Sequence, residues 1–325
     1  MAENSRPVGV GVWGLGRHAC RKILPALAIC PNTTLVGVTT RDGAVALREA
    51  ERYHCRSWAS HEAMLSDDAI DAVYVATPTG LHHTHGMEVL RAGKHLWSEK
   101  ALTDSLSQVQ ELVRESHERD LGLCEGLMYL YHPQFSFIMD TIIQPSFGQI
   151  LSINCQFGLP PLGEPGFRFS RELGGGALLD VAPYPVSASH KLLGTDLELV
   201  NSHLFQPSGF EVDTHGFALL SREDGACAFL EWGYNRAYRN EISIWGENAS
   251  LHSNFIFSKP PDHQSRVSIS DQHGRVKHED IEPRNSFCSM FSAFAKTVYD
   301  RESRDALRQE AELQASCLES LRQGS

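Results

Sequence analysis

The stretch VGVGVWGLGRHA, residues 8–19, decides the fold. Its first half is an apolar, valine-rich run of strand length, and it passes without a linker into Gly14-Leu15-Gly16-Arg17-His18-Ala19. A strand feeding a GxGxxA turn that opens a helix is the arrangement that holds a dinucleotide. Gly14 permits the tight turn, Gly16 lets a pyrophosphate reach the backbone, and small Ala19 lets the helix pack closely on the strand. The helix N-terminus then presents its N–H groups to the phosphates, with Leu15, Arg17 and His18 lining the same turn. Pro25 predicts a kink or an early end of this helix near Lys22.

Working outward, apolar runs at 35–39 and 72–76 alternate with helical patterns at 43–53, 83–92 and 106–117. Fully apolar strands separated by helices read as a doubly wound parallel sheet covered on both faces. The second strand ends in Thr39-Thr40-Arg41, where a ribose-binding carboxylate normally stands. Thr40 and Arg41 there favour a 2′-phosphate, hence NADP, because the guanidinium fork matches phosphate. Asp42 offers the competing readings, pairing with Arg41 or facing a ribose, so NAD is the alternative.

Beyond residue 125 the texture changes to short runs at 149–157, 217–221, 226–232 and 242–245, separated by Gly, Asn, Asp and Pro. They predict an α+β domain built on a large, open, mostly antiparallel sheet. Leu307, Ala311, Ala315, Leu318 and Leu321 recur at helical spacing and make one apolar face. The expected division is 1–125 for the dinucleotide domain and 126–325 for substrate binding and oligomerisation.

Composition excludes several classes. A chain of 325 residues, 42% hydrophobic and 21% charged, is long enough for two cores, and its net charge of -11 opposes nucleic-acid binding. Eight scattered cysteines without a CxxC pair read as reduced thiols, and MAENSRPV lacks the design of a signal peptide, so the expected location is cytoplasmic. No apolar run is long enough for a membrane helix. His82, His83 and His85 fall within four residues, yet they do not converge on one tetrahedral ion without a distant ligand, and no metal is expected. His83 and His85 are expected on an exposed first turn.

Further motifs follow in order: ATPTGLH at 76–82, GKHLWSEK at 93–100, GLMY with HPQ at 126–134, and GGGALLD at 174–180. Together with the glycine turn this order resembles the Gfo/Idh/MocA oxidoreductases over essentially the whole chain. The resemblance implies an active site between two domains, a C-terminal helix packing back toward the nucleotide domain, and a nicotinamide-linked reaction on a sugar or cyclic polyol. It implies cofactor contacts from Thr77, Pro78, His82, Glu99 and Lys100. Lys100 matches the lysine of the family's EKP tripeptide, and Tyr184 stands four residues after Asp180, as in the tyrosine-bearing subset that includes deoxysugar ketoreductases and dihydrodiol dehydrogenase. Arg168 and Asp180 become substrate-binding candidates.

Hydride transfer at a carbinol carbon requires a proton to move at its oxygen. Tyr184 is the expected acid/base, helped by the Lys100 ammonium, which favours phenolate or itself bonds the substrate oxygen. Two departures stand out: Ala101 replaces the EKP proline, and Ala182-Pro183 replaces the usual glycine. The prolines flanking Tyr184 predict a helix break near 182–185, with Pro185 biasing Tyr184 away from the α region. The expected activity is that of an NADP-dependent oxidoreductase in a homodimer or homotetramer. The alternatives are a dihydrodiol-type dehydrogenase and a non-catalytic NADP-sensing regulator.

Overall fold

The computed structural model describes residues 6–161, 163 and 166–324, so the first residues of the segment read for a signal lie outside the described residues. The chain divides into two compact units, Met1–Met128 with Ser286–Ala315, and Tyr129–Asn285 with Ser316–Ser325.

The first unit carries six parallel strands: β1 (Val8–Trp13), β2 (Thr33–Thr39), β3 (Arg56–Ser57), β4 (Ala72–Val75), β5 (His95–Ser98) and β6 (Leu123–Glu125). Every residue of β1 and β4 is buried, as expected of strands covered on both faces. Their order in the sheet is β3-β2-β1-β4-β5-β6. The order reverses between β1 and β4, and the crevice beyond the carboxyl ends of strands at such a point is where doubly wound sheets bind ligands. Gly14 leaves β1 there, and Ala76-Thr77 leaves β4 beside it.

Its helices are α1 (Leu24–Ile29), α2 (Gly43–Tyr53), α3 (His61–Leu65), α4 (His82–Arg91) and α5 (Leu106–Glu118). Pro25 does not end the first helix. A π-helical turn over Ala19–Ile23 runs directly into α1, and the Leu24 N–H reaches back to the Ala19 carbonyl. The wider turn admits the proline ring and the missing N–H, which a regular i→i−4 ladder does not.

The second unit begins with α6 (Pro133–Ile142), β7 (Ile150–Gly158), α7 (Ala177–Asp180) and α8 (Pro183–Leu193). Strands β8 (Glu198–Phe205), β9 (His215–Ser221), β10 (Cys227–Gly233), β11 (Arg239–Gly246), β12 (Ala249–Asn254), β13 (Ser265–Asp271) and β14 (Val276–Ile281) complete it. They form an eight-stranded sheet, β14-β13-β12-β11-β7-β10-β9-β8, antiparallel except for the β7–β10 pair. Burial alternates along β10 and β11, so one face is packed and the other open, with Trp245 65% and Phe229 46% exposed on the open side.

The helix does break before Tyr184, because α7 stops at Asp180 and α8 restarts at Pro183. Tyr184 is nonetheless helical, contrary to the bias expected from Pro185. Both prolines occupy the first turn of α8, where N–H groups have no intrahelical acceptor to lose.

The chain ends in α9 (Ser286–Thr297) and α10 (Arg301–Gln323). Ala311 joins the core with Trp13, Val109 and Leu112. The buried side of α10 also carries arginines that the apolar pattern does not reveal. Arg304 pairs with both oxygens of Asp120 at 3.0 Å, and Arg308 donates to the carbonyls of Ser116 at 3.1 Å and Leu121 at 2.7 Å. Those carbonyls lie at the end of α5 and just beyond it, where each also accepts a local hydrogen bond, from the Leu121 N–H and from Ser116 Oγ, so the guanidinium ties α10 to the end of α5.

Candidate active site

Gly14 sits at φ 100°, and a Cβ there would lie 2.9 Å from the backbone carbonyl of Ala76. Only glycine allows β1 to turn this close to the end of β4. Gly16 is the opposite case, since a Cβ there would meet no atom within 4 Å. The turn thus leaves open space beside the backbone at the start of a helix, the fit a pyrophosphate requires. Leu15 is buried while Arg17 and His18 are exposed.

Thr40 accepts a hydrogen bond from the Leu15 N–H at 3.4 Å, tying the end of β2 to the glycine turn. Arg41 is exposed at the same tip. Asp42 has a role that neither expected reading gave it. Its carboxylate caps α2, accepting from the N–H groups of Ala44 at 3.0 Å and Val45 at 3.3 Å. The residues present therefore fit a 2′-phosphate, with an exposed guanidinium fork and no carboxylate committed to a ribose.

After β4, the His82 ring is buried and wedged between two carbonyls, with Nδ1 2.9 Å from Ala101 O and Nε2 2.8 Å from Thr77 O. Burial pushes this imidazole toward its neutral form. A neutral ring carries one N–H, which donates to one of these carbonyls, and the two close contacts set His82 between the loops that carry Thr77 and Ala101. Thr77 and Pro78 are half-buried. The first turn of α4 is less exposed than expected: His83 lies 2.9 Å from Glu111, and His85 stacks on Trp13 at 4.0 Å while bonding Thr77 Oγ1 at 3.0 Å. Large aromatic and carboxylate neighbours from other elements cover these rings. Among the described residues no group of three or more His, Cys, Asp or Glu is arranged to hold a metal.

Glu99, at the end of β5, accepts from Tyr74 Oη at 2.6 Å and pairs with His18 at 3.1 Å. Burial opposes its charge, but His18 and Tyr74 outweigh that effect and hold the carboxyl at about 2. Lys100 follows, half-buried, with its charge facing Glu99 and Glu125. Glu125 closes β6 and accepts from the Leu102 N–H at 3.0 Å. Burial pushes its carboxyl up to about 7.

In the second unit, Tyr184 is 8% exposed, edge-on to Phe157 at 5.2 Å and beside Tyr129 and Phe257, each at 5.9 Å. Its carbonyl accepts from Tyr129 Oη at 3.2 Å and Ser187 Oγ at 3.0 Å, which fixes the backbone that aims the ring. Arg168 Nε pairs with Asp180 Oδ2 at 2.7 Å, and Tyr234 Oη donates to the same oxygen at 3.0 Å. The attraction of Asp180, opposed by burial and aided by Tyr234 and Tyr184, raises the Arg168 guanidinium further above its ordinary value. Arg168, Asp180 and Tyr234 thus form one polar cluster, and Tyr184, packed among aromatic rings, lies near enough to act on the Arg168 charge. Sequence reasoning missed Tyr234, Glu125 and Tyr74. The only available signal was a phenol within the apolar run AVYVA, since a buried Tyr hydroxyl normally finds a partner.

Residues 8–126 match the oxidoreductase family with NAD-binding Rossmann fold, and residues 138–252 match the GFO/IDH/MocA C-terminal domain. The chain belongs to the Gfo/Idh/MocA oxidoreductases. Within the family it is 35% identical to a dTDP-3,4-didehydro-2,6-dideoxy-alpha-D-glucose 3-reductase of Actinomadura kijaniata, covering 99% of this chain and 97% of that protein. A reductase of the same description from Saccharopolyspora spinosa is 34% identical over 90% of this chain and 88% of its own length. The crystal structure of a 3-ketoreductase from Actinomadura kijaniata, in complex with NADP and TDP-benzene, superposes with a TM-score of 0.93 at 34% identity, covering 98% of each chain. That reductase has also been solved with a tyrosine changed to phenylalanine and with a lysine changed to alanine or glutamate.

Proposed function

We infer that this chain is an NADP-dependent oxidoreductase that reduces a ketone on a sugar, its substrate being a nucleotide-linked 3-keto deoxysugar. One observation carries the reading. The lysine and tyrosine altered in the solved reductase variants are separated by the same interval as Lys100 and Tyr184. Gly14, Gly16, Thr40 and Arg41 hold NADP, and the bound cofactor supplies the hydride. Tyr184 gives its phenolic proton to the oxygen of the reduced carbonyl, and the Lys100 ammonium stabilises the phenolate that remains. Arg168 and Asp180 orient the sugar hydroxyls. Their charges beside the phenol favour a polyhydroxylated ring over the apolar ring of a dihydrodiol.

A second copy covers the open face that bears Trp245 and Phe229, giving a homodimer or a larger homo-oligomer, and the enzyme works in the cytoplasm. No helix among the described residues is long and apolar enough to cross a membrane. The test is NADPH consumption with TDP-linked 3-keto sugars, free sugars and dihydrodiols, each repeated with NADH. Turnover confined to the nucleotide-linked sugars with NADPH supports the reading. Turnover of dihydrodiols alone, or no turnover of any substrate in the panel, overturns it.

A further inference from the structure

The lysine of the EKP tripeptide is normally followed by proline, and here Ala101 removes that stiffening of the backbone. Other groups hold the segment in its place. Upstream, the Glu99 N–H donates to the Val75 carbonyl at 2.9 Å and the Glu99 carboxylate is fixed by Tyr74 and His18. Downstream, His82 meets the Ala101 carbonyl at 2.9 Å and Glu125 accepts from the Leu102 N–H at 3.0 Å. Lys100 is therefore pinned on both sides by side chains from β4, α4 and β6.

Glu125 does more than replace a lost constraint. It is the one member of this set whose carboxylate both holds the backbone of the segment and faces the Lys100 charge. We propose that Glu125 is a positioning residue for Lys100: it anchors the Lys100–Leu102 backbone through the Leu102 N–H and sets how much of the lysine's charge is available to the phenol. The charged groups facing it are Lys100, which attracts, and Glu99, which repels. Ionised, Glu125 neutralises part of the ammonium's field. Protonated, it leaves that field to the phenolate that forms during reduction. Burial places this change at about 7, so the switch falls in the working range.

The proposal rests on the role given to Lys100 above, and Lys100→Ala separates the two. If Lys100→Ala keeps wild-type turnover, the Lys100 role fails and takes this proposal with it. If Lys100→Ala is inactive, the Glu125 variants decide the proposal alone. Glu125→Gln keeps an acceptor for Leu102 and removes the charge, whereas Glu125→Leu removes both. In Glu125→Gln the step in kcat near pH 7 disappears while KM for NADPH stays within about twofold, and in Glu125→Leu kcat falls about tenfold or more at every pH. A readout without turnover is amine-reactive labelling of Lys100 in the unliganded protein at pH 8, followed by mass spectrometry. Removing the carboxylate changes both the charge and the anchoring beside the amine, so the labelling rate in Glu125→Gln differs from wild type by about threefold or more. Unchanged labelling, or a kcat profile in Glu125→Gln that keeps the wild-type step, overturns the proposal. If Glu125→Leu does not fold, Glu125→Gln settles the charge role by itself.

Discussion

Replacing each of the two glycines of the turn by alanine separates fold from binding. At Gly14 the backbone sits at φ 100°, and the added methyl lies 2.8 Å from Thr77 Cγ2 and 2.9 Å from both atoms of the Ala76 carbonyl. A non-glycine residue held in such a region costs about 1–3 kcal/mol. The clash adds to this, because backbone of a buried strand end cannot swing aside as a flexible side chain does. A loss of about 2 kcal/mol or more lowers the Tm of a domain this size by about 4–8 °C. At Gly16 the methyl meets nothing within 4 Å, so Gly16→Ala changes stability by no more than about 0.5 kcal/mol. The same methyl occupies the space left for the pyrophosphate, and a tenfold loss of NADPH affinity corresponds to about 1.4 kcal/mol. Scanning calorimetry without ligand and a fluorescence titration with NADPH read the two effects. A Gly16→Ala protein that melts as early as Gly14→Ala, or that binds NADPH like wild type, refutes this account of the turn.

Three other perturbations follow from the same structure. Arg41→Ala removes a charge-assisted phosphate contact, and raises the Kd for NADPH about tenfold while leaving NADH within about twofold; equal losses for both nucleotides contradict the assignment. Tyr234→Phe deletes the donor at 3.0 Å to Asp180, lowering stability by about 1 kcal/mol and kcat/KM for the sugar more than NADPH affinity, as steady-state kinetics and melting will show. Glu125 titrates at about 7 in the fold against 4.5 ordinarily, so between those values the folded protein binds more protons than the unfolded chain and loses stability as pH rises. Glu125→Gln removes that slope, and its Tm gain over wild type is larger at pH 8 than at pH 5.

How much was legible in the residues depended on whether the geometry was local. The strand, turn and helix of residues 8–19 are written in adjacent residues, and so is the span 43–53 of α2, although the cap that Asp42 supplies to it was not read from them. The break before Tyr184 was equally local. Side chains whose partners lie far along the chain were not legible. Arg308 donates to a carbonyl at the end of α5, and Tyr234 reaches back to Asp180. His82 is a further case, since the motif does not show that its ring lies between the carbonyls of Ala101 and Thr77. Pro25 marks an irregularity near Lys22, but the residues do not distinguish a π turn that continues the helix from an early end.

The central claim is that Tyr184 moves the proton at the sugar oxygen. The most direct measurement is single-turnover NADPH oxidation by wild type and Tyr184→Phe with the best nucleotide-linked keto sugar, alongside NADPH affinity for both. The account predicts a rate at least about a hundredfold slower in Tyr184→Phe with NADPH affinity unchanged. A Tyr184→Phe protein that oxidises NADPH at the wild-type rate contradicts it.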